Sequence, residues 1–572
     1  MKTTTLFTTL SIMLTLMLHS AAFAQTVTVN TSDIGAGVRY ILPEKADLLI
    51  NNSNIESTDT TSIIVTKGTA TVNNNAAGAI DAKLSGIFVD ETGSLTLNNY
   101  GILKSKWQTG DGGNLYYLYG TFWSQGSAPV FSFSPNTTIN NAAGATVEGD
   151  FWTLWLRAAG IVSNSGLIRS NKGAGVLVHD VGADPLLLFN NNTGKIEGAR
   201  YGILTWTRPC TDGITNYGQI MGTDYDALGI QTTTPALITN EAGATISGGF
   251  AAIEVSGGSS GIFNSGTIKG WGLNPNFPTS KNTGKGILIA ETPGNTINNF
   301  PTGIIEGQRH GILLEVGGNT INNDGAIYGG DGGDGNEEYG IYSVGSRYKN
   351  NRNIINNFAE GKITGDSIGI YFRPPYTVIN SQNTYYKPGG VVNNSGTICG
   401  MKKHGIFVDG NQVLLPGDTM EINNLTGGVI KTNSTSSSSA AIYLGENMEC
   451  VIKNAGEIRG SHNSGDHRAI YTRSKTEINN LAGGLIYTYG NGFAVEFVGI
   501  SAGDVAGSVL NNWGSIIAET YRAVGFPYRS NIEINNHEGG LISGDFSTIA
   551  FSSAGNGFQG YYSLKKRRYT QS

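Results

Sequence analysis

The chain has few cysteines, few charged residues and no long apolar run. Its 572 residues include three cysteines, Cys210, Cys399 and Cys450, which lie far apart. A disulfide framework is therefore excluded as the organising principle, and we expect the three cysteines to be small buried or surface residues. Charged residues make up 14 %, and the net charge of −6 gives no argument for binding nucleic acid or an anionic membrane. No apolar run is long enough to span a bilayer, and no 3.6-residue periodicity predicts a helix.

What the chain has in excess is glycine and asparagine, arranged in a repeat. Residues 321–327 read Ile-Asn-Asn-Asp-Gly-Ala-Ile, and versions of this pattern return from residue 72 to residue 542. Most copies lie 23 to 37 residues apart. A period in that range is typical of stacked repeat architectures. Gly and Asn tolerate the positive φ that tight corners in such a stack require.

The second Asn of the pair is present in all seventeen copies. These residues are Asn74, Asn99, Asn141, Asn164, Asn191, Asn216, Asn240, Asn264, Asn299, Asn323, Asn357, Asn394, Asn424, Asn454, Asn480, Asn512 and Asn536. Coils that stack at about 4.8 Å place each side-chain amide above the next. Each C=O can then accept a hydrogen bond from its neighbour's NH₂. The sequence therefore predicts a structural Asn ladder beside a continuous column of aliphatic side chains.

The copies alternate in length, which predicts a corner two residues longer on every second coil. Two aliphatic residues are six apart in the short form, as from Val162 to Ile168. They are eight apart in the long form, as from Ile139 to Val147. Phe189 to Ile196, at seven, is the one irregular copy. Each coil carries a further short strand marked by Gly or Ala before Ile, as at residues 405–408 and 441–444.

Together these patterns predict an all-β fold, a single-stranded parallel β-helix of about 17 coils. Residues 1–24 are predicted to be a secretory signal peptide, because a basic start precedes an apolar run and a small-x-small site at residues 22–24. We expect cleavage near Ala24 and export. Residues 25–60 are expected to form an N-terminal cap or irregular first coil, 61–555 the solenoid, and 556–572 a basic tail.

The repeated Ile-Asn-Asn-x-Gly-x-Ile, with its Gly-Ile-x-hydrophobic strands, resembles the passenger domains of bacterial autotransporters. The resemblance covers the signal peptide and roughly residues 60–555. It implies a right-handed parallel β-helix of the pectin-lyase-like type, secreted or displayed on a Gram-negative cell surface, often as an adhesin. The family normally ends in a translocator barrel, which we do not find after the repeats. We therefore expect a truncated gene product, or release or anchoring by a separate outer-membrane translocator.

Groups suited to catalysis or metal binding are sparse. The closest approach to the motifs of pectin hydrolases is at His310 and His404, each the residue before a Gly-Ile strand tag. A glycosidase needs paired carboxylates, and no cluster of carboxylates with Lys or Arg on one face is evident. Residues 331–338 gather four carboxylates, where we expect a solvated loop, with calcium binding as the alternative. No catalytic residue, metal or cofactor is predicted.

The best candidate for ligand binding is an aromatic insertion between two coils. Its residues are Trp107, Tyr116, Tyr117, Tyr119 and Trp123. Such side chains offer a large contact area and can stack on sugars or anchor a protein partner, although packing on the solenoid is the alternative. We predict a non-enzymatic, exported surface protein that adheres to a host-cell or glycan ligand. A polysaccharide-degrading enzyme and a fragment of a longer autotransporter are the alternatives.

Overall fold

The fold is a solenoid of parallel β-strands. The computed structural model describes residues 25–42, 47–105, 115–118, 121–124, 128–158, 160–179, 184–206, 211–272, 283–330, 338–344, 351–374, 376–379, 382–386, 389–410, 414–415, 419–436, 439–461, 466–498, 505, 507–526, 532–551 and 562–566. Within these ranges every regular element is a strand, and no helix is long and apolar enough to cross a bilayer. The predicted all-β parallel solenoid is confirmed. The predicted signal peptide lies outside the described residues.

Each coil contributes one strand to each of three sheets, in the order sheet 1, sheet 2, sheet 3. Sheet 1 has 20 strands: Thr26–Val29, Leu48–Asn51, Gly68–Asn74, Gly93–Asn99, Thr137–Asn141, Gly160–Asn164, Leu186–Asn190, Asp212–Asn216, Ala236–Asn240, Gly261–Asn264, Thr296–Asn299, Thr320–Asn323, Asn353–Asn357, Gly390–Asn394, Met420–Asn424, Glu449–Asn454, Lys475–Asn480, Ser508–Asn512, Ile532–Asn536 and Tyr562–Lys566. Sheet 2 comprises Asp33–Gly35, Asn54–Ser57, Ala79–Ala82, Ile102–Ser105, Thr146–Gly149, Leu167–Ser170, Lys195–Gly198, Gln219–Gly222, Thr245–Gly248, Thr267–Gly270, Ile304–Gly307, Ala326–Gly329, Lys362–Gly365, Thr397–Gly400, Val429–Thr432, Glu457–Arg459, Leu485–Thr488, Ser515–Ala518 and Leu541–Gly544. Sheet 3 comprises Tyr40–Leu42, Ile63–Val65, Ile87–Val89, Val130–Ser132, Trp152–Leu156, Ala174–His179, Tyr201–Trp206, Leu228–Thr232, Ala251–Val255, Lys285–Ile289, His310–Leu314, Tyr339–Val344, Ile368–Arg373, Ile406–Val408, Ala440–Leu444, Arg468–Thr472, Val495–Phe497, Arg522–Phe526 and Ser547–Phe551.

Two small additions leave the solenoid, the first between a strand of sheet 2 and a strand of sheet 3 and the second after a strand of sheet 3. Leu115–Leu118 and Thr121–Ser124 form an antiparallel hairpin. Tyr376–Ile379 and Gln382–Tyr386 form a second hairpin, and Leu414–Leu415 pairs with it in parallel. Both hairpins connect to a strand of sheet 3, which places them beside that sheet in the chain order.

The core is a set of aliphatic columns inside the solenoid. In sheet 2, Ile246, Ile268, Ile305 and Ile327 come from successive coils and pair in register. Each is fully buried. Burying one such side chain contributes about 1.5–3 kcal/mol, and the in-step register repeats this contribution in every coil. The chain therefore needs no other core.

The corner between sheets 1 and 2 alternates in length. It holds residues 324–325 after Thr320–Asn323, but residues 300–303 after Thr296–Asn299. In the short corner, a Cβ on Gly325 would lie 2.3 Å from the carbonyl oxygen of Gly303. Real Cβ atoms do not approach backbone so closely, so Gly is required where successive corners nest against each other.

The buried Asn side chains form an unbroken ladder. From Asn51 to Asn536, each Nδ2 donates to Oδ1 of the equivalent Asn one coil later, over 2.7–2.9 Å. Nδ2 of Asn323 also donates to the Gly325 carbonyl, over 3.2 Å. The outward-facing Asn322 belongs to a second, half-buried column, in which the later residue donates to the earlier one. The amide dipoles of the two columns therefore oppose each other.

One residue of the predicted ladder is wrong. Asn190, not Asn191, occupies the ladder, since it accepts from Asn164 and donates to Asn216. Asn191 faces outward and donates to Ser165. Leu188, at eight residues before Ile196, is the buried aliphatic, so this copy is a regular long one. A slip of one residue exchanges the two faces of a strand, and accordingly Phe189 lies on the outside, 42 % exposed.

Both ends of the solenoid contain more regular strands than the sequence indicates. Thr26–Val29 and Leu48–Asn51 pair in parallel as the first strands of sheet 1, within the segment expected as a cap. Asn51 is the first member of the Asn ladder. In the expected basic tail, Tyr562–Lys566 pairs in parallel with Ile532–Asn536.

Candidate functional site: the outer face of sheet 3

The outer face of sheet 3 carries a column of aromatic side chains. Strand residues alternate between the core and the outside, so Ile341 is buried inside while Tyr342 points outward. Because the coils are in register, outward residues of successive strands lie over one another. Five of them pair in sequence and are called here the aromatic strip: Tyr342, Tyr371, Phe407, Tyr443 and Tyr471.

The rings of the aromatic strip are stacked with a lateral offset between neighbours. Neighbouring centroids are 5.1, 5.3, 4.8 and 4.8 Å apart, and the planes are inclined by 21–32°. Carbon atoms in contact lie about 3.5–4.0 Å apart, so near-parallel rings at these spacings must be laterally offset. Each half-buried ring therefore leaves part of its face and one edge towards solvent.

Polar groups flank the aromatic strip at hydrogen-bond distance. Nη1 of Arg373 donates to the Tyr342 hydroxyl over 3.1 Å, and the Tyr371 hydroxyl donates to Oδ2 of Asp409 over 3.0 Å. Burial, followed by the charge of Asp409, raises the pKa of Tyr371, and burial raises that of Tyr471. Both phenols therefore stay protonated at neutral pH. The Tyr371 hydroxyl already donates its proton to Asp409, so it can only accept a hydrogen bond from a ligand, whereas the Tyr471 hydroxyl can donate or accept.

The two histidines singled out in the sequence pack on this face. His310 stacks on Tyr339 at 5.1 Å, and His404 stacks on Phe407 at the same distance. Burial lowers the pKa of His404 to about 3 and that of His310 well below its usual value. Nδ1 of His404 accepts from the backbone N–H of Ala440. These rings are neutral parts of the packing.

A charged cluster that sequence reasoning missed lies on the same face, on coils before the aromatic strip. Lys285 is 3 % exposed, and its Nζ lies 3.8 Å from the centre of the Phe250 ring. The carboxylates of Glu254 and Glu315 act on it electrostatically. Burial lowers the pKa of Lys285 to about 8 and raises the pKa of both carboxyl groups. The three residues are 61 positions apart from first to last, so only the stacking of coils brings them together.

Towards the N-terminal end, this face carries a second aromatic group. Phe131 and Trp155 stack at 4.4 Å, and Phe88 contacts Phe131 edge-on at 5.6 Å. Phe131 and Trp155 are buried although they lie on the outside of the sheet. These rings contribute to packing and offer little surface to a ligand.

The predicted ligand-binding insertion falls outside the part of the chain whose side chains are described. Tyr116 and Tyr117 lie on the strand Leu115–Leu118, and Tyr116 pairs with Trp123 across the hairpin. Trp107 and Tyr119 lie outside the described residues altogether. The same holds for Cys210 and for residues 331–337 of the acidic loop. Cys399 and Cys450 are buried, and burial raises the pKa of both thiols.

A sequence signal for the aromatic strip exists. Its residues follow the Gly-Ile or Ala-Ile strand tags at residues 340–341, 369–370, 405–406, 441–442 and 469–470. An aromatic residue directly after five successive tags predicts one outward column once the parallel register is known. The pattern does not stand out without that register, because 28 to 36 residues separate the members.

Among the described residues, no group of three or more His, Cys, Asp or Glu side chains is arranged to hold a metal ion. A scan against protein-family models found no match, and searches of the curated proteins and of the solved structures found none either. What the protein does must therefore be argued from the geometry of the solenoid and its outer face.

Proposed function

We propose that this chain is an exported, autotransporter-like surface protein that adheres to a ligand on a cell or glycan surface. The aromatic strip on the outer face of sheet 3 is the observation that carries the proposal. The signal-like N-terminus and the resemblance of the repeats to autotransporter passengers support export. Export of this kind requires an outer-membrane translocator.

The aromatic strip is not needed to build a solenoid. The same coils carry Asn322, Asn356, Asn393 and Asn423 as the corresponding outward column of sheet 1. Amide side chains therefore suffice to cover a sheet of this fold. Aromatic rings instead give a large contact area held on a rigid scaffold, which is typical of residues that dominate binding energy. This contrast between two faces of the same coils favours recognition over packing.

Ligand binding can be tested with paired variants. Tyr371→Ala combined with Tyr443→Ala should reduce binding of the purified chain to its target cells or to a glycan array by at least about tenfold, since two anchors are lost. Leu237→Ala is the matched control, because Leu237 is 49 % exposed on the outer face of sheet 1. Equal binding by the wild type and the double variant, or an equal loss of binding in Leu237→Ala, would refute the proposal.

A polysaccharide-degrading enzyme is the second candidate, and the cluster around Lys285 is what favours it. Groups whose pKa is shifted by burial gather at catalytic sites more often than elsewhere, although structural charge clusters show the same shifts. We expect no release of reducing or unsaturated sugar ends from a panel of polysaccharides. If ends are released by the wild type and lost with Glu315→Gln, the enzymatic alternative holds instead.

A further inference from the structure

The aromatic strip follows the direction in which the coils of the solenoid stack. Its five residues come from five successive coils, so at about 4.8 Å per coil it extends for about 19 Å. The rings repeat once per coil without a change of side. A partner that makes the same contact at each step must therefore be an extended chain that lies parallel to the axis.

The charges beside the aromatic strip balance one another. Three arginines and three carboxylates flank it: Arg373, Arg468, Arg473, Asp409, Glu446 and Glu496. Nε of Arg468 lies 2.6 Å from Oε2 of Glu496, and Arg473 forms an ion pair with Glu446. A polyanion is bound through an excess of Lys and Arg, and a polycation needs the opposite excess. Among the described residues that flank the strip neither excess is present, so the face is matched to an uncharged chain.

An extended polypeptide fits this face poorly. Peptides usually join a sheet by hydrogen bonding to an unpaired edge strand. Here the strands that carry the aromatic strip are paired with a neighbouring coil on both sides, as Ile368–Arg373 is with Tyr339–Val344 and Ile406–Val408. No backbone donors or acceptors are left on the strip for a peptide. The remaining contacts are tilted ring faces, phenol hydroxyls and the polar tips of Arg373 and Asp409.

We infer that the aromatic strip binds an uncharged linear polysaccharide whose chain runs along the solenoid axis. The apolar face of a sugar ring packs on the exposed part of an aromatic ring. Its hydroxyls hydrogen bond to tyrosine hydroxyls, to Arg373 and to Asp409, which are both donors and acceptors. One sugar ring is of a size that spans roughly one coil, so successive rings meet successive side chains. This inference rests on the proposed function, because it names the ligand class of the same face.

Affinity electrophoresis of the full chain tests the inference. Gels containing laminarin, hydroxyethyl cellulose or galactomannan supply uncharged polysaccharides, and gels with heparin or polygalacturonate supply charged ones. We expect retardation in at least one uncharged gel, unchanged on raising the salt concentration. Tyr443→Ala should weaken it by about tenfold. Tyr443→Phe keeps the ring stack and should retain most of it, and Leu237→Ala should leave it unchanged.

The outcomes separate the ligand class from the proposed function. Retardation only in charged gels, or an equal loss with Leu237→Ala, overturns the inference. Absence of retardation by any uncharged polysaccharide, while the chain still binds cells through Tyr371 and Tyr443, overturns the ligand class but leaves adhesion standing. If the chain binds neither cells nor polysaccharides, both the proposed adhesion and the proposed ligand class are refuted. A concentration-dependent dimer in sedimentation that Tyr443→Ala dissociates would instead show that a second copy covers this face.

Discussion

The Asn ladder predicts a pattern of destabilisation that ordinary core packing does not. Asn323 is fully buried, accepts from Nδ2 of Asn299 and donates to Oδ1 of Asn357, each over 2.8 Å. In Asn323→Ala, Nδ2 of Asn299 and Oδ1 of Asn357 both lose their ladder partner, although Nδ2 of Asn299 keeps its hydrogen bonds to the Gly303 and Ala326 carbonyls. The hydrogen bond lost by Nδ2 costs about 0.5–1.5 kcal/mol and the unpaired Oδ1 costs about 1–3 kcal/mol, so the total is about 1.5–4.5 kcal/mol.

Double variants separate a ladder from a set of independent residues. Asn299→Ala with Asn323→Ala again leaves only two groups without a ladder partner, Nδ2 of Asn264 and Oδ1 of Asn357. Asn323→Ala with Asn454→Ala leaves four groups without a ladder partner. The adjacent pair should therefore cost about half as much as the distant pair, whereas independent sites would add equally in both.

The measurement combines urea unfolding with amide hydrogen exchange. Stability in a solenoid is a sum over coils and their interfaces, so exchange at the amides of Asp324 and Phe358, which donate to the Asn299 and Asn323 carbonyls, reports the local loss. Asn322→Ala is the control, because it removes a half-buried amide from the same strand and should cost less than about 1 kcal/mol. Equal costs for Asn322→Ala and Asn323→Ala, or for the two double variants, would refute the reasoning.

Three further predictions concern single positions. Gly325→Ala should lower the free energy of unfolding by about 3 kcal/mol, because the new Cβ meets backbone atoms. Gly243→Ala should lower it by only about 1–2 kcal/mol, because Gly243 has φ +83 but lies in open space. A larger loss of thermal stability in Gly243→Ala than in Gly325→Ala would contradict this. His404 has a pKa of about 3 in the folded protein against 6.5 otherwise. Its stabilising effect is therefore complete above pH 6.5 and falls towards pH 3 by about 1.4 kcal/mol per pH unit. His404→Asn keeps an acceptor for the Ala440 N–H and should flatten this slope in urea titrations at several pH values; an unchanged slope refutes it. Lys285 has a folded pKa of about 8 against 10.5, so its burial is unfavourable below pH 8 and the penalty disappears as pH rises to 10.5. Lys285→Met should stabilise the protein at pH 7 by up to about 3 kcal/mol and by nothing near pH 10.5; destabilisation at pH 7 would exclude this account.

The sequence predicts the solenoid well because each coil repeats the same local chemistry. The Asn pair, the Gly that follows and the flanking aliphatics must all agree with one parallel register. The wrong ladder residue, Asn191, arises where residues 190–192 are all Asn and two registers look equally good. The choice between them depends on whether Leu188 or Phe189 fits the buried column, which is a property of the coils above and below.

The sequence by itself determined the stacked parallel strands, the two corner lengths and the existence of a buried amide ladder. These follow from residues close together in the chain, namely a short pattern that recurs at nearly constant spacing. Only the tertiary structure decided what the outer faces present. Tyr342 and Tyr371, or Lys285 and Glu315, become neighbours through in-register stacking across loops of unequal length, and no local pattern reports on that. The physical reason is that the core requires the same side chains in every coil, whereas the outside is free to differ from coil to coil.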